Sequence, residues 1–478
     1  MNRGALALAL AFAAAMAGVF LARPHSTPGP VLRDFEAYYA AGATWDRGGD
    51  AYATTIWNAE KAIPGVSSQR LEVLPYVGVP QALPVFAAFA HLPFPIAAFC
   101  WSAVLLAACA LLLVCAALLV RDPPSILGYI ALGLFALGFG PLTSDIALGQ
   151  VAALSAAFVA AGALVLRRGN AVLAGALALV AAVQPNLALA LFSRAFRPRD
   201  MLILALAAAA FLGSFSLLQP RGPVHGLLAY LVLLRAHGAA ERFALIQFTP
   251  ASISYAFAGP NIAAVVGPAI EVGTLIVWLA GIRKLYRSAA ASLAFSCALL
   301  PFALPFFHEH DAIVLVIPAL YAGTSASRSL WPLALAGTLL VAVDWLGIAQ
   351  RPDGWIQSML LLASGAIAYT VFCRRDVRSL WIAAIALIAI AGAGLFAAHH
   401  PAPIWPDALG PHPALDSRET NVTRLWSDEL RLSGQLTRDG FSGLLRSLTL
   451  LGSGLLAYLS WRCFVETKKS SLHPAAGP

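Results

Sequence analysis

The sequence predicts an all-α polytopic membrane protein, and three observations carry that prediction. First, 60% of the 478 residues are hydrophobic and only 11% are charged, more apolar surface than one soluble core can hide. Second, apolar windows near the roughly 20 residues needed to cross a bilayer recur along the chain. Third, Lys and Arg sit in short clusters between those windows, at alternate ends. The formal net charge of +8, from 31 Lys+Arg against 23 Asp+Glu, therefore reads as a topological signal, and no nucleic-acid partner is expected.

The windows lie near 4–22, 96–120, 126–142, 149–166, 201–218, 262–282, 290–307, 330–348, 355–373, 379–397 and 444–462. With a cytoplasmic N-terminus, Arg121, Arg167 and Arg168, Arg283, Lys284 and Arg287, Arg328, Arg374, Arg375 and Arg378, and Arg462 with Lys468 and Lys469 all fall inside. The first window also fits a cleaved signal peptide, and the downstream topology is the same either way. Residues 170–194 form about one span's length, yet Arg167 and Arg168 flank one end and Arg194, Arg197 and Arg199 the other. Gln184-Pro185-Asn186 sits mid-segment, where Pro breaks a helix, so a buried broken-helix hairpin is expected. The short run 311–326 is expected to pack among other helices rather than against lipid.

The non-cytoplasmic surface then comprises a first loop of about 23–95, a turn at 143–148, a loop at about 219–261, turns at 308–311 and 349–354, and a late loop at about 398–443. The first and last are long enough for short surface helices, and Asp416 to Arg438 reads as an amphipathic helix on the membrane or over a cavity. Residues 1–465 form one integral-membrane domain, and 466–478 a disordered cytoplasmic tail. Cys100, Cys109, Cys115, Cys297, Cys373 and Cys463 lie within or at the ends of apolar runs, which implies neither a disulfide frame nor a zinc site. The Ala- and Leu-heavy, Lys-poor usage reads as bacterial and GC-rich, hence as an inner (plasma) membrane location. A bacterial chain rarely uses the sequon at Asn421-Val422-Thr423.

Acids are scarce, so their placement is informative. Asp34, Glu36, Asp46 and Asp50 fall in the first outside loop, Asp145 in the second turn, and Glu309 and Asp311 in the fourth, all at one membrane face. The sharpest local feature is DFEAYYAAGATWDRGGDAY, Asp34 to Tyr52. On a helix Asp34 shares a face with Tyr38, and Phe35 with Tyr39, giving a carboxylate backed by rings of the kind that stack on sugars. The residues alone leave a second reading open, in which Asp34 caps an interfacial helix and the tyrosines sit in the aromatic belt.

This stretch resembles the signature after the first transmembrane helix of glycosyltransferase family 87, the polyprenyl-phosphate-mannose-dependent mannosyltransferases of GT-C fold. The matching positions are Asp34, Phe35, Tyr38, Tyr39, Ala41, Gly42, Gly48 or Gly49, and Tyr52. In order follow Tyr76 with Pro80 and Leu92-Pro93-Phe94, Gly149-Gln150-Val151, the Gln184-Pro185 hairpin and His310-Asp311, covering roughly residues 30–325. The resemblance implies a GT-C-type bundle of about 11–14 membrane segments and passes the general-base role to Asp34. It implies an inverting transfer of a hexose, mannose in the family, from a polyprenyl-phosphate donor to a lipid or glycan acceptor; no cofactor is expected, and no tight cluster of carboxylates in the sequence suggests a metal. His308, His310, Asp311, Gln184, Tyr38 and Tyr39 are the donor-side candidates, and Glu36, Tyr76 and Gln150 the acceptor-side or loop candidates. Arg33, Arg70, Arg221, Arg235 and Arg242 are looser phosphate partners, each also readable as an interfacial anchor, as HEHD is readable as a polar helix-terminal turn. Where the family shows Lys before the hairpin Pro, this chain has the uncharged Gln184.

No Walker loop, dinucleotide fingerprint or haem motif is present. A transporter or flippase of a lipid-linked sugar is the alternative, since broken helices serve transporters too. It predicts ionisable groups within the spans or internal repeats, and no repeat is found. An O-antigen ligase or polymerase would predict paired arginines in a late outside loop, and 398–443 holds no clear pair.

Overall fold

Ala and Leu, the strongest helix formers, dominate the apolar windows, and a helix satisfies its own backbone groups in lipid. The computed structural model describes residues 32–53, 55–64, 74–121, 124–218, 223–350, 354–400 and 422–472. Among them there is no strand, only an isolated bridge between Gln247 and His308. The first predicted span, Arg70, Arg221 and Asn421 lie outside the described residues.

The first outer segment forms three short helices, α1 (Arg33–Asp46), α2 (Thr55–Lys61) and α3 (Leu83–Ala90), before the long α4 (Phe94–Val120). α1 and α3 cross closely because residue 42 is Gly: a Cβ there would lie 2.3 Å from the Phe86 carbonyl carbon. Helices α5 (Ile126–Leu137) and α6 (Gly140–Leu148) meet at a 69° bend, and α7 (Ala152–Arg167) follows. The hairpin consists of α8 (Ala171–Ala181), the four-residue α9 (Pro185–Ala188) and a 3-10 turn, Leu189–Arg194, with Pro185 opening its second arm. Then come α10 (Pro198–Leu218), α11 (Pro223–Glu241), α12 (Pro250–Ala258), α13 (Pro260–Leu285, with Pro268 inside it) and α14 (Ala289–Ala303). A 3-10 turn, His310–Leu315, leads into α15 (Val316–Ser325), and α16 (Trp331–Ala342), α17 (Trp345–Gln350), α18 (Trp355–Cys373), α19 (Val377–Ala398), α20 (Val422–Leu432) and α21 (Gly440–Leu472) complete the described chain. Side chains cap several starts: Ser125, Asn170, Thr249, Ser288 and Asp376 each accept from the backbone N–H three residues on.

Six helices among the described residues are long and apolar enough to cross a membrane, namely α4, α10, α13, α18, α19 and α21, with a seventh span if the bent α5–α6 pair is counted. The chain is therefore an all-helical membrane protein, and several of the expected spans are shorter apolar helices. Small residues let them approach closely. On α7, Ala152, Ala153, Ala156, Ala157 and Ala160 are wholly buried. Ala312 to Val316 are wholly buried too, so the 311–326 run is enclosed by protein, as its length requires.

Five expectations need correction. The windows 126–142 and 330–348 are not straight spans: the first breaks at Gly138–Phe139 and the second at Val343–Asp344. Hydropathy counts apolar content and is blind to bends. The breaks pack on one another, since a Cβ on Gly140 would sit 2.7 Å from the Asp344 amide nitrogen. The 143–148 stretch is helical, not a surface turn, and Asp145 is fully buried, accepting from Ala153 N–H at 3.3 Å at the start of α7. The 219–261 loop carries two helices, α11 and α12, and α21 runs to Leu472 into the expected tail.

Candidate functional site

A cavity of about 1660 Å³ opens among these helices, and its polar lining comes from segments distant in sequence. The first wall is α1. Asp34 and Tyr38, one helical turn apart, both face the cavity with Gln150. Tyr38 Oη donates to Gln150 Oε1, and Gln150 Nε2 donates to Asp34 Oδ2 at 2.7 Å. The orientation of the Gln150 amide follows from its partners, because an ionised carboxylate only accepts and the phenol donates to the amide oxygen. Gln150 reaches Asp34 because Gly149 ends α6 at φ +77°, a left-handed conformation that glycine adopts without strain. A Cβ at 149 would meet Phe35 Cβ at 2.8 Å, and Trp101 Nε1 donates to the Gly149 carbonyl at 2.8 Å. Behind this wall the Tyr38 ring stacks on Phe86, 4.8 Å between centroids, and meets Tyr76 edge-on at 5.9 Å.

The second wall is the end of α11 and the segment after α14. Glu241 is buried and receives four contacts: His237 Nε2 at 3.2 Å and Trp426 Nε1 at 2.6 Å on Oε1, His308 Nε2 at 3.0 Å and Gln247 Nε2 at 2.8 Å on Oε2. Gln247 in turn accepts from Phe307 N–H at 2.9 Å. Wholly buried Arg446 on α21 fixes the connecting strip, donating to the carbonyls of Ala244 and Gln247 and to Ser252 Oγ. α11 is not one of the spans. Burial works to raise the Glu241 carboxyl, but the charges of His237 and His308 outweigh it and hold it well below the usual carboxylate range. Burial likewise opposes a charged His308, yet the Glu241 carboxylate lifts it above the ordinary imidazole value. His310 goes the other way, pushed well down by burial and by the charge on His308, 5.0 Å between ring centroids.

The third element is the broken hairpin. Gln184 Nε2 donates to Asp311 Oδ1 at 2.8 Å, Asn186 Nδ2 approaches Oδ2 at 3.4 Å, and His308 N–H donates to Oδ2 at 2.9 Å. Asp311 is fully buried and does not line the cavity; it ties the hairpin to the HEHD segment. Among the described residues, His308, His310 and Asp311 form a grouping whose donor atoms lie within 4.8 Å of one another, the spacing a metal ion would need to contract. Asp311 Oδ1 accepts from Gln184 and Oδ2 from the His308 N–H, so the grouping is anchored to the hairpin.

Of the residues singled out in the sequence, Asp34, Tyr38, Gln150, Gln184, His308 and His310 meet at this cavity, with Arg33, Arg235 and Arg242 on its lining. Glu36, Tyr39 and Tyr76 do not line it. Glu36 is buried, Tyr39 Oη donates to the Leu92 carbonyl at 2.8 Å, and Tyr76 Oη donates to the Val79 carbonyl at 2.9 Å. Asp46, farther along α1, is exposed and pairs with His91 at 3.5 Å. Sequence reasoning missed Glu241, His237, Gln247 and Trp426. The signal was present, since His237 and Glu241 are four residues apart and share a helix face, but it lay in a stretch read as loop. It also missed Glu271, eleven residues into α13 and on the cavity lining.

The class that fold and site define is an all-helical membrane protein with a largely apolar cavity onto which two carboxylate networks open. No protein-family model matches the chain, and no curated protein or solved structure matches it.

Proposed function

We propose that this protein is a GT-C-type glycosyltransferase that moves a hexose, mannose by its sequence resemblance, from a polyprenyl-phosphate donor to a lipid or glycan acceptor on the non-cytoplasmic side. The observation that supports it is the half-buried Asp34 carboxylate, held by the neutral Gln150 amide on a cavity that Arg235, Arg242, His308 and His310 also line. At about 1660 Å³ the cavity exceeds the roughly 300–1,000 Å³ of a single-ligand pocket, leaving room for donor head and acceptor together.

In this reading Asp34 takes the proton of the acceptor hydroxyl as its oxygen attacks the anomeric carbon. The bond from that carbon to the phosphate oxygen breaks on the opposite face, the polyprenyl phosphate leaves, and the configuration inverts. Arg235 and Arg242 are the cations for the departing phosphate. Gln184, bonded to Asp311, holds the hairpin instead of supplying charge.

One observation favours the transporter reading: Glu271 is an acid within a span, facing the cavity, as transport pathways require. Radiolabelled polyprenyl-phosphate-mannose added to membranes with the wild type, Asp34→Asn or no protein separates the two. Label in a new glycolipid with wild type alone supports transfer; label that changes leaflet without a new product supports transport and refutes transfer.

A further inference from the structure

At the other ends of α7, α13 and α14 from the catalytic cavity lies a second, smaller cavity of about 230 Å³. Arg167 closes α7, Arg287 follows α13, and Arg194 and Arg197 belong to the end of the hairpin, so four guanidinium groups from three regions of sequence converge on it. Its remaining wall is Leu119, whose carbonyl takes Arg167 Nη1 at 3.1 Å, and the start of α14, at Ser288, Ala289 and Ala290. Ser288 Oγ takes the Ala291 N–H at 3.2 Å, whereas the first N–H groups of a helix have no intrahelical partner and point toward whatever stands before it.

Basic residues at a membrane face need no ligand to explain them. Arg194 does. It is 2% exposed, its Nε donates to Asp200 Oδ2 at 2.9 Å and its Nη1 to the Tyr286 carbonyl at 3.4 Å, yet its Nη2 is buried without a hydrogen-bond partner. Asp200 offsets one of the four charges. A buried guanidinium arm without an acceptor, three further arginines and a helix N-terminus on one concave site form an anion receptor, and the planar fork of Arg suits phosphate oxygens.

We infer that this basic cavity binds a phosphate group, separately from the proposed catalytic site. The shared chemistry is a phosphate mono- or diester, which an anionic lipid headgroup or free phosphate would supply. Basic pockets between helices at a membrane face hold lipid headgroups in this way.

The test uses the full chain in neutral detergent, with lipid retention read by native mass spectrometry and thermal unfolding as a second readout. Phosphatidylglycerol, phosphatidylcholine and inorganic phosphate are compared on the wild type and on Arg197→Gln/Arg287→Gln, which leaves the Arg194–Asp200 pair intact. The expected result is retention of phosphatidylglycerol over phosphatidylcholine and a higher unfolding temperature, with affinity falling about fivefold per arginine removed. Stabilisation by inorganic phosphate that the double variant loses supports the site with a soluble ligand; stabilisation by phosphatidylglycerol alone supports a lipid. Equal retention of the two lipids with no effect of phosphate, or undiminished binding by a folded double variant, overturns the inference.

Discussion

The two walls of the large cavity each present a carboxylate, and they hold it in opposite ways. Asp34 is half-buried and receives the neutral Gln150 amide; Glu241 is buried and receives two histidines, an indole and an amide. A carboxylate held by charged histidines is a poor proton acceptor, because protonation forfeits those contacts. The second wall thus has a fixed-anion role, holding His308 charged from α11, while the proposed function puts the proton-taking role on α1.

The largest expected effect breaks the first wall. Asp34→Asn, which keeps the shape and removes the base, should lower sugar transfer by about 10²–10⁴-fold while membrane insertion is retained. An active variant would move the base elsewhere. Glu241→Gln tests the second wall and should act on stability, by roughly 3 kcal/mol, because it strips a buried charged partner from His308. The pH dependence sharpens this. Glu241 is held low, so its contribution is present above its unfolded value near pH 4.3 and is lost as pH falls through the depressed folded value. His308 is held high, so its contribution is full below its unfolded value near 6.5 and is lost as pH rises through the raised folded value. The wild type should therefore exceed Glu241→Gln most between about pH 4.3 and 6.5 in unfolding scans. A difference that grows above that window would refute the pairing.

Gln150→Ala should cost about tenfold in activity, as expected for one hydrogen bond to a charged group, and should leave KM for the acceptor little changed. Gly149→Ala should destabilise by roughly 1–2 kcal/mol from the left-handed backbone alone. Its contact with Phe35 adds to that and should lower activity by displacing Gln150. Unchanged unfolding in Gly149→Ala would show that α6 and α7 can be joined in another way.

Much of the first wall was legible because its logic is local. Asp34 and Tyr38 sit one helical turn apart, and Gly149-Gln150 stood out through its place in the family resemblance. The contact between them, from residue 34 to residue 150, was not, since it depends on how α1 lies against the end of α6. The second wall was hidden by a segment assignment: α11 mixes Arg, His and Glu into a stretch that hydropathy reads as loop, yet it folds as a helix and brings His237 under Glu241. Trp426 and Arg446 reach this wall from the last part of the chain, where no local pattern announces them. The six long spans were readable because length and apolarity decide them, whereas the breaks at Gly138–Phe139 and Val343–Asp344 depend on mutual packing.

Pro268 gives α13 a property that hydropathy does not register. A proline has no N–H, so the carbonyl four residues earlier, that of Ala264, loses its intrahelical donor, and both residues line the cavity. A spanning helix ordinarily hides its backbone polarity from whatever lies beside it. Here Pro268 leaves the Ala264 carbonyl, seven residues before Glu271, without that donor, so under the proposed function a sugar hydroxyl in the cavity has a main-chain acceptor to meet, one that no side-chain substitution removes.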